Sequence, residues 1–528
     1  MSSAFDSHDA LQKFVALIGL FLSAILLGIF LATDSIGVLY MGMGLGWLFL
    51  LPYHAKLAVF LGISTFSSAL IIPYVPGRPY VWEFGAMLAW TGLLLTIALR
   101  QYSKDVGETL RAQKWLFFGL IGYCLNLLFI MKMRGVGFRV LGADSMGGRF
   151  YLQQLICAIF PLIFAFVPLT EKALTRMLTL QFLLSTTYLV SDFIFSVAPQ
   201  SLYFLLGFFE LPGDALTFEM QAMNLGLRRL QSWYVIGISM FFLLLTRVKM
   251  SDFLTGRGVF LIPLGLAPLA IGLLGGHRML LVHAGLTCLF LGWGQRFFVP
   301  RNLVPLGATA ALILAIAYTN VERLPIAAQR TLSALPGIEV NRLAFEDGYG
   351  TLETRKLLRQ IGWEMAPQYY WVGRGFAQSV DFSHHWDSTS IVAHVNQGRF
   401  YNGFIGLLVN TGLPGTFFLC LFLLGGTFVA FKILQFTRRH GANDVFSRAA
   451  GLVASIWCAM TIEFLFVHGD SEYALKSFGL MAGVLIGFER LLRVRSAALA
   501  DAATVEQEAP RETEEVTPPP RAIVPVGF

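Results

Sequence analysis

Apolar runs long enough to cross a lipid bilayer follow one another along almost the whole chain. A helix needs about 20 predominantly apolar residues to cross a hydrocarbon core of about 30 Å, and on that basis the sequence predicts about 14 membrane-spanning helices. Their approximate ranges are 14–32, 36–53, 57–74, 81–99, 115–133, 150–169, 177–197, 233–248, 258–275, 279–298, 303–319, 403–434, 449–467 and 473–488. With 56% hydrophobic and only 13% charged residues, the composition is not that of a soluble domain. We therefore expect an all-α polytopic membrane protein.

Lysine and arginine in the short connections indicate how the predicted spans are oriented. Cytoplasmic loops carry an excess of these residues, and here one alternating set of connections holds most of them, so we expect that set and both termini to be cytoplasmic. The opposite set contains a long polar insertion, 320–400, which we expect to be a large extracytoplasmic loop with short helices. It separates the first eleven predicted spans (1–319) from the last three (401–488). Residues 489–528 are rich in Ala, Glu and Pro, which predicts a disordered cytoplasmic tail.

Charge and cysteine content argue against other classes of function. Basic residues flanking membrane spans account for the net charge of +7, so no nucleic-acid partner is expected. The five cysteines lie within apolar runs, which indicates neither a disulfide framework nor a cysteine metal site.

Several basic residues lie in connections predicted to be outside, where the insertion bias disfavours them. Guanidinium groups bind phosphate oxygens bidentately and stay charged, so one explanation is an anion site. The other is that long side chains extend to the lipid headgroups. We select Arg278, Arg149 and Arg139 as candidate anion ligands, the first two because they follow glycine pairs beside helix starts. Lys132, Arg134, Arg228 and Arg229 are further basic residues in these connections.

The insertion 320–400 has its own pattern. Leu357, Leu358, Ile361 and Met365 recur at helical spacing, which predicts an amphipathic helix over 351–366. A glycine-flanked turn that carries one charge, Arg374, follows this helix.

Histidines are concentrated near the end of the insertion. Residues 384–387 read His-His-Trp-Asp, and His394 follows. The spacing does not indicate a metal site, because no close ligand pair of the His-Glu-x-x-His type is present. His394 is nearest to the point of membrane re-entry, so it is the candidate general base or positioning residue. His468, before the last span, is expected to face the same cavity.

Ionisable side chains also occur within predicted spans. They are Asp192, His283 and Glu463. Such groups are costly in a bilayer unless they are paired or face water, so they indicate either a structural pair inside the bundle or a proton pathway.

The segment 401–415 contains a spaced motif. It has Tyr401-Asn402, then nine residues, then Gly412-Leu413-Pro414-Gly415. This motif resembles the membrane re-entry motif of the O-antigen ligase and O-antigen polymerase superfamily of bacterial envelope glycosyltransferases, which has His-Asn at its first two positions. The piece Trp371–Phe376 and the outward Arg278 are also similar to that family.

The resemblance implies glycosyl transfer from a polyprenyl-diphosphate-linked glycan to a glycan or lipid acceptor, outside the bacterial cytoplasmic membrane and without a metal or other cofactor. Arg278 would act on the leaving diphosphate, with Arg139, Arg149 and Arg374 as further substrate ligands. A flippase and a chain-length regulator would be partners.

The departure from the motif bears on the reaction. Tyr401 replaces the histidine of the family, and a phenol with a pKa near 10 is a poor base at neutral pH. Either His394 is the base or none is needed, and Tyr401 and Asn402 would then position a sugar or the loop backbone. The resemblance favours a polymerase. A ligase and an envelope lipid or sugar transporter remain the alternatives.

Overall fold

The computed structural model describes residues 36–508 except 74, 76–77, 138–144, 197–199, 211–231, 334–336 and 380–390, together with a discontinuous part of 14–33. Over these residues the chain is almost entirely helical. Its β-structure there consists of two isolated bridges and one antiparallel pair, β1 (Ser145–Met146) with β2 (Gln378–Ser379). The helices are α1 (Ile36–Phe49), α2 (His54–Thr65), α3 (Val81–Ala98), α4 (Val106–Ala112), α5 (Lys114–Arg134), α6 (Gly148–Cys157), α7 (Ile159–Phe166), α8 (Glu171–Leu184), α9 (Thr187–Ser196), α10 (Trp233–Arg247), α11 (Gly258–Leu273), α12 (Met279–Gly294), α13 (Pro300–Asn320), α14 (Ile326–Leu332), α15 (Arg342–Met365), α16 (Ile391–Asn396), α17 (Gly403–His440), α18 (Val445–Ile462) and α19 (Ala474–Glu508).

The prediction of an all-helical chain with apolar, membrane-length helices is confirmed. Within the described part of the chain, seven helices are long and apolar enough to cross a membrane, or eight if one bent pair is a single span. That pair corresponds to the predicted spans 36–53 and 57–74, and the chain bends by 117° between its two helices. The 3₁₀ turn Leu51–Tyr53 between them has a proline as its second residue, and proline cannot donate the hydrogen bond that would continue a helix. Helices α10, α11 and α12 are apolar but shorter.

Small residues let the helices approach closely. A Cβ atom on Gly119 of α5 would lie 2.4 Å from the backbone nitrogen of Phe422 in α17. A Cβ atom on Gly425 of α17 would lie 2.7 Å from the Cα of Leu116. Close backbone contact of this kind is how helices associate in lipid, where apolar burial gives little driving force.

The charged connections gather at the two ends of the bundle. At one end Arg490 pairs with Asp105 at 2.7 Å, and Arg495 pairs with Asp444 at 2.9 Å. At the other end the insertion 320–400 packs onto helix ends, for example through Phe376, whose backbone nitrogen donates to the Tyr151 hydroxyl at 2.9 Å.

Two boundaries differ from the sequence predictions. The helix predicted at 351–366 is present, but it begins earlier, at Arg342, where the Asn341 side chain accepts a hydrogen bond from the Leu343 nitrogen. The last helix continues to Glu508, into the segment 489–528 that was expected to be disordered, because its Ala- and Glu-rich sequence has high intrinsic helix propensity. Residues 509–528 lie outside the described part.

Candidate functional site

A polar cavity of about 300 Å³ lies where the insertion meets the helix ends. We call it the arginine cavity. The start of α10, the α11–α12 connection, α14, α15 and the end of α18 contribute to its wall. Its lining includes Tyr234, Arg278, Arg330, Arg355, Glu463 and His468.

Arg278 directly precedes α12 and extends into the cavity wall. Its Nε donates to the Arg330 carbonyl and its Nη2 to the Ser333 hydroxyl, both at 3.4 Å. Over the described residues it has no carboxylate within ion-pair distance. Burial, together with repulsion from Arg330 and Arg355, lowers the pKa of Arg278. Asp347 partly opposes this effect from beyond ion-pair distance, so the positive charge of Arg278 is held in place without a carboxylate in direct contact among the described residues.

Arg330 is a fixed part of the wall. It is buried, pairs with Asp347 and donates to the Gly276 carbonyl and, at 3.0 Å, to the Thr351 hydroxyl. Because each of its three guanidinium nitrogens already donates to a protein group and Asp347 balances its charge, Arg330 joins α14, α15 and the α11–α12 connection rather than offering a free cation.

Arg355 lies on the face of α15 that turns toward the bundle. Its guanidinium carbon is 5.1 Å from the centre of the Tyr401 ring. Among the described residues it makes no hydrogen bond and no ion pair. Burial lowers its pKa and repulsion from Arg330 and Arg359 adds to that effect, while Tyr401 and Asp470 partly oppose it. One turn further on, Arg359 donates to the Val467 carbonyl at 2.6 Å and to the Tyr401 carbonyl at 3.3 Å.

Arg278 and Arg355 therefore bring positive charge to one cavity without carboxylate partners among the described residues. A partly buried cation with no carboxylate in direct contact is costly. An anionic ligand with several oxygens would remove that cost, because guanidinium groups bind such oxygens bidentately.

Tyr401 stands between two histidines beside this cavity. Its ring centre is 5.3 Å from that of His394 and 5.3 Å from that of His468, with which it is stacked at 22°. Tyr401 also has a φ of 50°, in the left-handed region that non-glycine residues seldom adopt. Burial lowers the pKa of His468, and its Nδ1 has no hydrogen-bond partner in the described part of the chain. The predicted base His394 is not among the residues that line the cavity; the ring of Tyr401 lies between it and His468, which does line the cavity.

Glu463 contributes a carboxylate to the cavity from the end of α18. Both of its carboxylate oxygens lie close to Nδ1 of His283 in α12, at 2.7 and 2.9 Å. Glu463 and His283 are buried, each 8% exposed. Two of the three intramembrane ionisable groups noted in the sequence therefore form a pair. The third, Asp192, accepts a hydrogen bond from Ser232.

The spaced glycines of 401–415 mark a break in α17, where the insertion docks. Gly412 has a φ of 69° within the helix, and the Leu413 nitrogen donates to the Tyr370 carbonyl at 2.7 Å. Immediately before the break, the carbonyls of Val409 and Asn410 accept from the backbone of the glycine-flanked turn 373–375, at 2.8 and 2.9 Å. The two sequence pieces similar to the glycosyltransferase family are thus hydrogen-bonded to each other.

Asn402 and Arg374 make structural contacts. The Asn402 side chain caps α17 by accepting from the Ile405 nitrogen at 3.0 Å. Arg374 donates to the carbonyls of Val395 and Asn396 at the end of α16. Arg374 therefore holds the short helix that carries His394, which is a positioning contact rather than a free cation.

Arg149 belongs to a different cluster. Its Nη2 is 3.3 Å from the Glu83 carboxylate, and its guanidinium lies 5.4 Å from the centre of the Tyr80 ring. Gln153, one turn along α6, also donates to Glu83. Arg139, Arg228, Arg229 and the segment 384–387 lie outside the described residues.

Arg330 and Arg355 were not selected from the sequence. The signal available for Arg355 was its spacing: Arg355 and Arg359 lie four residues apart, on the same face of α15 as the buried Leu358. Over the described residues, no group of three or more His, Cys, Asp or Glu side chains is arranged to hold a metal ion. No protein-family model matches this chain, and no curated protein matches it.

Proposed function

We propose that this protein is a membrane glycosyltransferase that polymerises polyprenyl-diphosphate-linked oligosaccharide repeat units, of an O-antigen or exopolysaccharide, at the outer face of the bacterial cytoplasmic membrane. The observation that carries the proposal is the arginine cavity, in which Arg278 and Arg355 lack carboxylate partners among the described residues. The cavity adjoins the motif 401–415, which resembles that class of enzyme.

The lipid-linked diphosphate is the ligand that best fits the charges. It carries several negatively charged oxygens, and two guanidinium groups can bind them from different sides. Arg330 keeps the wall rigid through its pairing with Asp347. A fixed cation that needs no rearrangement stabilises the charge that develops on a leaving group.

The membrane arrangement follows from the charge pattern of the connections. In the proposal about 14 spans cross the bilayer, including the shorter apolar helices, and both termini are cytoplasmic. The insertion 320–400 is then the extracytoplasmic loop, and the arginine cavity opens near the outer membrane surface. A polyprenyl chain would lie in the bilayer while its diphosphate reaches Arg278 and Arg355.

The chemistry is displacement of the diphosphate by an acceptor hydroxyl. The bond between the anomeric carbon and the diphosphate oxygen breaks, its electron pair leaves with the diphosphate, and the acceptor oxygen bonds to the anomeric carbon. The transition state resembles an oxocarbenium ion. Two groups are candidates for the proton acceptor: His394, from the sequence, and Glu463, which lines the cavity.

The test combines donor binding with glycan length. Arg278→Ala and Arg355→Ala each remove a charged contact worth about 1.5–3 kcal/mol, so the Kd for a short polyprenyl diphosphate should rise about 10-fold to 100-fold. Arg278→Lys should recover little of this, because an ammonium does not reproduce the bidentate fork. The matched control is Arg342→Ala, which removes an exposed arginine of the same helix α15. Unchanged binding in both cavity variants would refute the proposal.

Glycan length in a strain lacking the gene separates the alternatives. Single repeat units on the acceptor indicate a lost polymerase, and long unattached polymer indicates a lost ligase. Accumulation of lipid-linked units on the cytoplasmic side indicates a lost flippase. The proposal predicts the first result, with recovery by the wild-type gene and by the Arg342→Ala variant.

A further inference from the structure

We infer that Glu463 is the catalytic residue that accepts the proton of the acceptor hydroxyl, and that His283 is its positioning residue. The inference rests on the proposed glycosyl transfer and assigns a role to a carboxylate that the resemblance does not provide. Three observations support it: the position of Glu463 in the cavity, the local backbone, and the hydrogen bond from His283.

Glu463 is a wall residue of the same cavity as Arg278 and Arg355, the two arginines that have no carboxylate partner among the described residues. In the proposed reaction those arginines hold the diphosphate, so the anomeric carbon and the incoming hydroxyl lie within the same space of about 300 Å³. A carboxylate on that wall is placed to meet the hydroxyl. A base must come within hydrogen-bond reach of the proton that it removes.

The backbone at Glu463 is a π-helical turn. The turn spans Glu463–Val467 and directly follows α18, and the His468 nitrogen donates to the Glu463 carbonyl at 2.7 Å. Such widened turns are rare and occur frequently at functional sites. The turn also brings His468, five residues later, to the same cavity wall as Glu463.

His283 orients the carboxylate without using up its capacity to accept protons. A carboxylate that acts as a base is ionised and can only accept, so in the proposed role Nδ1 of His283 is the donor in the contacts of 2.7 and 2.9 Å. An ionised carboxylate has about four lone-pair positions, so room remains for an acceptor hydroxyl. The imidazole is itself held against Phe242, with ring centres 5.4 Å apart.

A purely structural role for the pair is the competing interpretation. The competing interpretation does not account for the position of Glu463 in the cavity wall or for the widened turn at this residue. Tyr234, Arg278, Arg355 and His468 line the same cavity as Glu463, and His283 contacts its carboxylate.

The step balances in atoms and charge. The acceptor O–H bond breaks and its proton moves to a Glu463 oxygen, while the acceptor oxygen bonds to the anomeric carbon. The anomeric C–O bond to the diphosphate breaks, and the released negative charge remains beside Arg278 and Arg355. Glu463 then returns its proton to water or to the departing diphosphate.

The experiment measures turnover and donor binding separately in the purified full-length protein. Glu463→Gln should lower kcat about 10²-fold to 10⁴-fold, as for removal of a positioned base, while the Kd for a short polyprenyl diphosphate stays within about 2-fold of wild type. The competing carboxylate is Asp470, whose Oδ1 is buried without a partner in the described part of the chain. Asp470→Asn should retain most of the turnover.

Rescue by azide distinguishes a catalytic base from a residue whose role is only structural. Glu463→Ala opens space beside the anomeric carbon, and azide, already an anion, needs no base to attack it. The variant should therefore form a glycosyl azide, detected by mass spectrometry, while the wild-type protein forms polymer. His283→Asn should lower kcat less than Glu463→Gln does, because it disorients the carboxylate without removing it.

Each outcome bears on a separate claim. Wild-type turnover in Glu463→Gln, or loss of turnover in Asp470→Asn instead, would overturn the assignment of the base. Loss of donor binding together with turnover in Glu463→Gln would indicate a structural pair and would also overturn it. Unchanged donor binding in Arg278→Ala and Arg355→Ala would refute the proposed function itself, whatever the Glu463 variants show.

Discussion

Gly348 provides a way to move the Arg278 guanidinium without deleting it. A Cβ atom at position 348 of α15 would lie 2.1 Å from Nη2 of Arg278 and 3.1 Å from the Ser333 hydroxyl. Ordinary van der Waals contact begins at 3.4 Å, so the guanidinium in a Gly348→Ala variant must shift by more than 1 Å. The end of a long side chain can make that shift without disturbing the helices.

The expected effect is a loss of donor affinity with no loss of stability. A shift of this size breaks one charge-assisted contact to the diphosphate, worth about 1.5–3 kcal/mol, which corresponds to a rise in Kd of about 10-fold to 100-fold. Replacement of a mid-helix glycine by alanine also favours the helix by about 0.5–1 kcal/mol. Stability and affinity should therefore change in opposite directions.

Gly350 is the matched control in the same helix. A Cβ atom there would meet nothing within 4 Å, so Gly350→Ala gains the same helix propensity without touching Arg278. The assay is titration of each detergent-solubilised variant with a fluorescent short-chain polyprenyl diphosphate, alongside thermal unfolding. Equal affinities for the two alanine variants would refute the idea that the position of Arg278 sets donor binding.

Two further predictions concern the rings beside the cavity. Burial lowers the pKa of His468, and a bound diphosphate should raise it again, so binding takes up a proton and affinity should increase as the pH falls from about 8 toward 6. His468→Gln should lose this component and keep only the pH dependence of the ligand's own ionisation; an identical pH profile in the variant would contradict the assignment. Tyr401→Ala removes the ring beneath Arg355 and a cation–π contact worth about 0.5–2 kcal/mol, so its donor Kd should rise by about 2-fold to 30-fold. Tyr401→Phe keeps the ring and should lose less, and an inactive phenylalanine variant would show that the hydroxyl itself is required.

Local features of the sequence were enough to predict the helical architecture. Apolar runs of membrane length mark most of the helices because both length and hydropathy are local properties. The break in α17 was not predicted, because 403–434 was taken as one continuous span, although Gly412 and Pro414 are residues that interrupt helices. The sharp bend between α1 and α2 was not predicted, because two successive apolar runs do not show how they are arranged in space.

The residues of the cavity could not be predicted from the sequence, because they come from segments that lie far apart along the chain. Arg355 was missed because only the folding of α15 back onto α17 brings it to Tyr401. Arg149 was selected as a free cation, but its neighbour Glu83 comes from α3, and this pairing could not be read from either segment. His283 and Glu463 were noted separately, with a structural pair as one reading, yet no periodicity links residues that lie 180 positions apart.

The most direct measurement of the central claim is chain extension by the purified protein in liposomes that contain lipid-linked repeat units and no other enzyme. The proposal predicts products of two or more repeat units with wild-type protein and with Arg342→Ala, and little or no extension with Arg355→Ala. A protein that leaves the lipid-linked units unextended, or one whose Arg355→Ala variant extends them at the wild-type rate, would contradict it.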